Sequence, residues 1–170
     1  AGITVEGNLL RGSSGLAGEI AHIQVDPAGP VCGCGRRGCL AAVLSTTNLP
    51  AVITPTPDSP ARLGDVFALA AHGLAASERI LTEVSHLLGR ILADVCLWLS
   101  PDIIVLDGQL GPVAPLVANT IQETIRLNAG PAFAEAVHVV VSNLQDTAEL
   151  LGGLALARAE LLTVGTSHGA

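Results

Sequence analysis

From Asp65 onward, apolar residues at helical spacing give way to short wholly apolar runs and return, and this succession lays out the elements. From Ser77 to Leu99, the residues Ile80, Val84, Leu87, Leu88, Ile91, Val95 and Leu99 fall on one face at helical spacing, which predicts one long amphipathic helix. Ser100-Pro101-Asp102 ends it, because proline disfavours helical geometry in the residue before it. Ile103 to Leu106 is then wholly apolar, the pattern of a strand buried on both faces of a mostly parallel sheet. Asp65 to Ala76 suits a shorter helix, Val113 to Leu127 another, and Val137 to Val141 a second strand. The last helix is expected to start near Thr147, where Asp146 and Glu149 have capping-box spacing, and to run through Leu150, Leu151, Leu154 and Leu161.

The first half is punctuated by glycine and proline instead. Ile3 to Val5 and Leu9-Leu10 flank Glu6-Gly7-Asn8 and predict a β-hairpin. A glycine-spaced loop covers Arg11 to Glu19, and Ile20 to Val25 reads as a strand ended by Asp26-Pro27. Residues 45–61 hold four prolines and suit an exposed connection. Hairpin, strand, then helix–strand–helix–strand–helix is an α/β order.

Composition narrows the partners. A chain of 170 residues can bury the core of one domain, and no run reaches the ~18 uninterrupted apolar residues of a membrane span. No leader pattern is present, so a cytoplasmic location is the expectation. The net charge is −7 and all eight basic residues are arginine, scattered apart from Arg36-Arg37, which opposes direct contact with nucleic acid. The absence of an initiating methionine, with an opening inside the apolar Ala1-Gly2-Ile3-Thr4-Val5, suggests a piece of a longer protein.

The candidate chemistry is concentrated between residues 22 and 39. His22, Cys32, Cys34 and Cys39 offer one nitrogen and three sulfurs, a set that suits tetrahedral zinc. Gly33, Gly35 and Gly38 let the intervening backbone curl. Four protein ligands leave no open position for an activated water, so the metal is expected to be structural, stapling the loop to the strand carrying His22. The competing reading is a disulfide or free thiols, and the cytoplasmic setting disfavours the disulfide. Cys96 and Trp98 are expected in the core or a dimer interface. His72, His86, His138 and His168 lack motif partners and read as surface or satisfied core residues, and Arg36-Arg37 as an exposed turn between ligands.

The segments Gly18-Glu19-Ile20-Ala21-His22 and Cys32-Gly33-Cys34-Gly35-Arg36-Arg37-Gly38-Cys39 resemble the ROK family of bacterial repressors, open reading frames and sugar kinases. The family pattern is Glu, two residues, His, and later C-x-C-G-x-x-G-C. Weaker similarity in Ser100 to Leu106 and Leu151-Gly152-Gly153-Leu154 extends the resemblance over nearly the whole chain, as the carboxy-terminal half of such a protein. It implies an actin-like or ribonuclease-H-like α/β lobe, normally paired with an amino-terminal lobe that is absent here. It also implies one domain over residues 1–164, with the zinc loop at 18–40 and a helix–strand core at 62–163, followed by a tail at 165–170. The residue matching Glu19 holds sugar hydroxyls in sugar-binding members, and the one matching His22 both ligates zinc and contacts sugar.

Two departures bear on activity. Where the family usually has Glu two residues after the last zinc cysteine, this chain has Ala41, which weakens or alters sugar contact. Where the family has Gly-Gly close to nucleotide phosphates, this chain has Asp107-Gly108, and a carboxylate beside phosphates is repulsive. The kinase members' Asp-x-Gly-x-Thr phosphate loop and Asn-Asp catalytic pair are also missing from these residues, so the chain by itself is not expected to be an enzyme. The resemblance therefore implies the effector-sensing and dimerising part of a sugar-responsive transcriptional regulator, which would bind a sugar or sugar phosphate and touch DNA through a segment outside this chain. The alternative is the carboxy-terminal half of a hexose kinase, and a third is an assembly module whose zinc loop supports an interface.

Overall fold

The computed structural model describes residues 1–45, 63–108, 110–144 and 147–166. The proline-rich connection, Asp146 of the capping box and His168 lie outside the described residues. The chain begins with a two-stranded antiparallel hairpin, β1 (Thr4–Val5) and β2 (Asn8–Leu9). Both turn residues, Glu6 and Gly7, have positive φ, as a two-residue type I′ turn requires. The Ile20–Val25 segment departs from the expected strand. Ile20–His22 is a single 3₁₀ turn, and only Gln24 makes a bridge, to Cys39. A strand needs a ladder, and one bridge is all this segment finds.

After α1 (Leu40–Val43), the helical part opens with α2 (Leu63–Ala71) and α3 (Ala75–Leu99). The expected Asp65–Ala76 helix is cut short at Gly73. With φ +79° this glycine closes a Schellman motif, its amide bonding Ala70 O at 2.9 Å and that of Leu74 bonding Leu69 O at 3.0 Å. Helix α3 ends as its sequence predicts, at Ser100 in left-handed geometry. Then follow β3 (Ile103–Leu106), a 3₁₀ turn at Gly111–Val113, α4 (Ala114–Ala129), α5 (Pro131–Ala136), β4 (His138–Val141) and α6 (Ala148–Thr166). Helix α5 was not anticipated. Gly130 at φ +89° and Pro131 at the first helical position break it from α4.

Strands β3 and β4 pair in parallel, Ile103 with His138 through Leu106 with Val141. The parallel sheet is as expected, but burial on both faces is not. Ile104 and Leu106 pack on the core while Ile103 and Val105 are 57% and 58% exposed, because α3 and α4 cover one face and no described element covers the other. The core is the α3–α4 crossing with α2 beneath it, built from Val66, Leu81, Leu92, Ile121, Ile125 and Val137. Cys96 lies in this core as expected. Trp98 does not: at 86% exposed it stands out from the last turn of α3. No described helix is long and apolar enough to cross a membrane.

Candidate metal centre

The loop between His22 and Cys39 folds by short-range backbone bonds that aim its sulfurs inward. Val31 and Arg37 form an antiparallel bridge, and Cys32 N donates to Arg36 O at 2.7 Å while Gly35 N donates to Cys32 O at 2.9 Å. Cys32 to Arg36 is therefore one tight turn, and it carries Cys34 at its tip. Gly38, at φ +62°, lies so close to Asp26 that an added Cβ would sit 1.4 Å from the Asp26 carbonyl oxygen. Only glycine fits there, and the close approach lets the Gly38 carbonyl accept from Val25 N at 2.7 Å. Cys39 then lies at the start of α1, held against the His22 side of the site by Leu40 N donating to Ile23 O at 2.8 Å. Of the three loop glycines expected to curl the chain, Gly35 and Gly38 use positive φ and Gly33 does not.

The four expected ligands come together. Cys32 Sγ is 3.6 Å from His22 Nδ1, Cys34 Sγ is 3.6 Å from Cys39 Sγ, and all four ligand atoms lie within 4.8 Å of one another. Zinc distances of about 2.3 Å to sulfur and about 2.0 Å to nitrogen give a tetrahedron with edges of about 3.5–3.8 Å, so the donor set fits this ion in both size and kind. The disulfide reading fails: the cysteines are free, and the Cys34–Cys39 separation is far beyond the ~2.05 Å of an S–S bond. Cys32 and Cys39 are buried and His22 and Cys34 exposed, so the site has one covered side and one open side.

The thiols differ in character. Burial, then hydrogen bonding with Cys34 and Cys32, pushes Cys39 up to about 11. Cys34 is lowered, first by the backbone N–H of Arg36 donating to its sulfur and also by the Arg36 charge. Three sulfurs this close cannot all be anionic without a cation between them, which is the role a divalent metal fills.

Glu19 and His22 share one turn, His22 N donating to Glu19 O at 3.2 Å. Their surroundings differ. Glu19 lines a largely apolar cavity of about 480 Å³ bounded by Ala1 to Thr4, by Leu92, Val95 and Leu99 of α3, and by Ile103 to Val105 of β3. His22 is not among its lining residues and turns Nδ1 to Cys32 instead. Ala41 is exposed on α1, and Asp107 is exposed where β3 ends. Of the remaining histidines, His86 Nδ1 bonds Thr124 Oγ1 at 2.8 Å, whereas His72 and His138 are exposed.

Arg36 and Arg37 are both exposed, as expected of a turn between ligands, yet each guanidinium holds a loop carbonyl, Arg36 that of His22 at 3.3 Å and Arg37 that of Gly29 at 3.4 Å. Gln24 also holds one; its amide donates to Arg37 O at 3.0 Å. No signal in the sequence separates these residues from solvated ones.

The ROK family model matches residues 1–160. N-acetylmannosamine kinase of Escherichia coli O157:H7 is 32% identical over 161 residues, covering 95% of this chain and 54% of that protein. A ROK family glucokinase from Streptomyces griseus, solved with glucose and AMPPNP, superposes with a TM-score of 0.75 at 25% identity, over 93% of this chain and 56% of its own. A ROK family transcriptional regulator, described as a homologue of the E. coli MLC protein, superposes with a TM-score of 0.70 at 26% identity, over 82% of this chain and 38% of its own. The chain thus spans about half the length of the curated relatives it matches. It has the α/β fold of these sugar kinases and regulators, and it belongs to the ROK family.

Proposed function

We propose that this chain is the zinc-stapled, sugar-sensing lobe of a ROK-family transcriptional regulator. Its metal would be held by His22, Cys32, Cys34 and Cys39 and would act structurally, locking the imidazole of His22 in one orientation. With Nδ1 committed to that side, Nε2 is left to donate to a sugar hydroxyl, and Glu19, one turn back, can accept from another. A missing amino-terminal lobe would form the other wall of the cleft, a separate segment would contact DNA, and the region would dimerise. The domain limits of 1–164, with a tail at 165–170, belong to the same reading.

The observation that carries the regulator reading over the kinase reading is Asp107. Ligands of α/β sheets gather at the carboxyl ends of the parallel strands, and there this chain exposes a carboxylate beside Gly108. An anion in that position repels a nucleotide phosphate. Ala41, in place of a further sugar-holding carboxylate, points the same way. The kinase reading is supported by the names of the curated relatives and by the Streptomyces griseus glucokinase that carries glucose and AMPPNP.

Thermal stabilisation distinguishes the two. Glucose and N-acetylmannosamine should raise the melting temperature, and AMPPNP with magnesium should leave it unchanged. Stabilisation by nucleotide as well as sugar would make the kinase reading the right one, and stabilisation by neither would favour an assembly module.

A further inference from the structure

Resting on the metal reading above, we infer that Arg36 is a positioning residue of the metal centre, joining the two halves of the ligand set. Its backbone carbonyl accepts from Cys32 N at 2.7 Å, and its guanidinium Nη1 donates to the carbonyl of His22 at 3.3 Å. One residue therefore bonds a ligating residue of the cysteine loop and the histidine outside it. The backbone bond belongs to the turn and is open to many residue types. The side-chain bond is different, because it crosses from the cysteine loop to the 3₁₀ turn that carries His22, fourteen residues away in sequence.

This bond acts where the site is weakest. His22 stands on a turn with no strand ladder, it is exposed, and it is the one ligand outside the Cys32–Cys39 loop. A fixed cation on its carbonyl limits how far that turn swings from the three sulfurs. The same cation faces a site whose three thiolates and one divalent ion sum to a net negative charge, so it also favours the loaded form. Arg37 supplies the internal comparison: it is adjacent, equally cationic and bonded to a loop carbonyl, but that carbonyl belongs to Gly29, which is not a ligand.

The test follows zinc transfer from the purified chain to a chelating dye for the wild type, Arg36→Ala, Arg36→Lys and Arg37→Ala. Loss of a partner that orients a ligand typically costs 10–100-fold, so Arg36→Ala should release zinc at least about tenfold faster, with Arg37→Ala close to wild type. Arg36→Lys keeps a cationic donor and should recover most of the retention. In the cobalt-substituted protein, the ligand-field bands of Arg36→Ala should shift while the thiolate charge-transfer intensity stays. The inference is overturned if Arg36→Ala retains zinc like the wild type, if Arg37→Ala loses it as fast, if Arg36→Lys behaves like Arg36→Ala, or if the cobalt bands do not move. A wild-type chain that takes up no zinc overturns the metal reading itself; a wild type with one zinc and an unaffected Arg36→Ala overturns only the role of Arg36.

Discussion

Gln122 closes the outer edge of β4 by bonding the backbone on either side of His138. Its Oε1 accepts from Val139 N at 2.8 Å, and its Nε2 donates to Val137 O at 3.2 Å, so a side chain of α4 stands in for a neighbouring strand. An edge strand otherwise presents unpaired donors and acceptors, and here one amide satisfies one of each. Val137 is 1% exposed, so its carbonyl would find little water if the partner were removed. Gln122→Leu, which keeps volume but offers neither bond, should destabilise the fold by about 1–3 kcal/mol. Urea unfolding measures this directly, and a midpoint unchanged from wild type would show that the edge bonds contribute nothing.

A second relationship limits the α3–α4 crossing. A Cβ built on Gly89 would lie 2.6 Å from Cβ and 2.8 Å from Cγ2 of Thr124. Thr124 cannot easily turn aside, because its hydroxyl donates to Thr120 O at 2.7 Å and also meets His86 Nδ1. Gly89→Ala should therefore cost about 1–3 kcal/mol through overpacking, in spite of alanine's better helix propensity. Thr124→Ser keeps the hydroxyl and removes Cγ2, so the double mutant should recover part of that loss. Additive effects in the double-mutant cycle would refute the contact.

These two relationships also mark what the sequence could and could not reveal. Helix α3 was legible because its apolar residues repeat on one face, and the His-Cys set because three of its members lie within eight residues of one another. Gln122 was not legible: its partners are 15 and 17 residues away, and an exposed glutamine on a helix would look the same. The half-exposed face of β3 was misread because Ile103-Ile104-Val105-Leu106 shows no alternation, although alternate residues meet core and solvent. Composition reports what a strand can tolerate on each face and not what covers it. The turn carrying His22 has the sequence of a strand for a related reason, since pairing is a property of the partner as well as of the segment.

The thiols should make stability respond to pH in opposite senses with and without zinc. In the metal-free chain, Cys39 holds its proton up to about 11, above the ordinary thiol value. A group bound more tightly to its proton in the folded state contributes stability below the unfolded value and loses it as pH rises through the folded one. Metal-free protein should therefore lose stability between about 8.5 and 11. Cys34, which is lowered, acts in the other direction: its contribution is present above the ordinary thiol value and is lost as pH falls through its own. With zinc bound, protons compete with the metal, and stability should rise as pH increases from acid toward the thiol range. Melting temperatures measured across this range in chelator and in excess zinc should diverge. Parallel curves would mean that the metal does not engage these thiols.

Removing zinc should open the loop without unfolding the core. Cys32, Cys39 and Ala42 form a small buried cluster separate from the larger one around Leu81, Ile121 and Ile125. The loop's fold depends on single backbone bonds, such as Val25 N to Gly38 O and Gly38 N to Pro30 O, whereas α3 and α4 hold each other through many packed side chains. A structural zinc in so small a module supplies most of what keeps it ordered. Hydrogen exchange in the presence of a strong chelator should then show faster exchange at Val25, Cys32 and Gly38, with protection retained along α3 and α4. Cys39→Ser, which removes one of the two buried ligands, should reproduce this pattern without chelator. Loss of protection in α3 and α4 would mean that the metal supports the whole lobe. An exchange map unchanged by chelator would mean that the loop holds its shape without an ion.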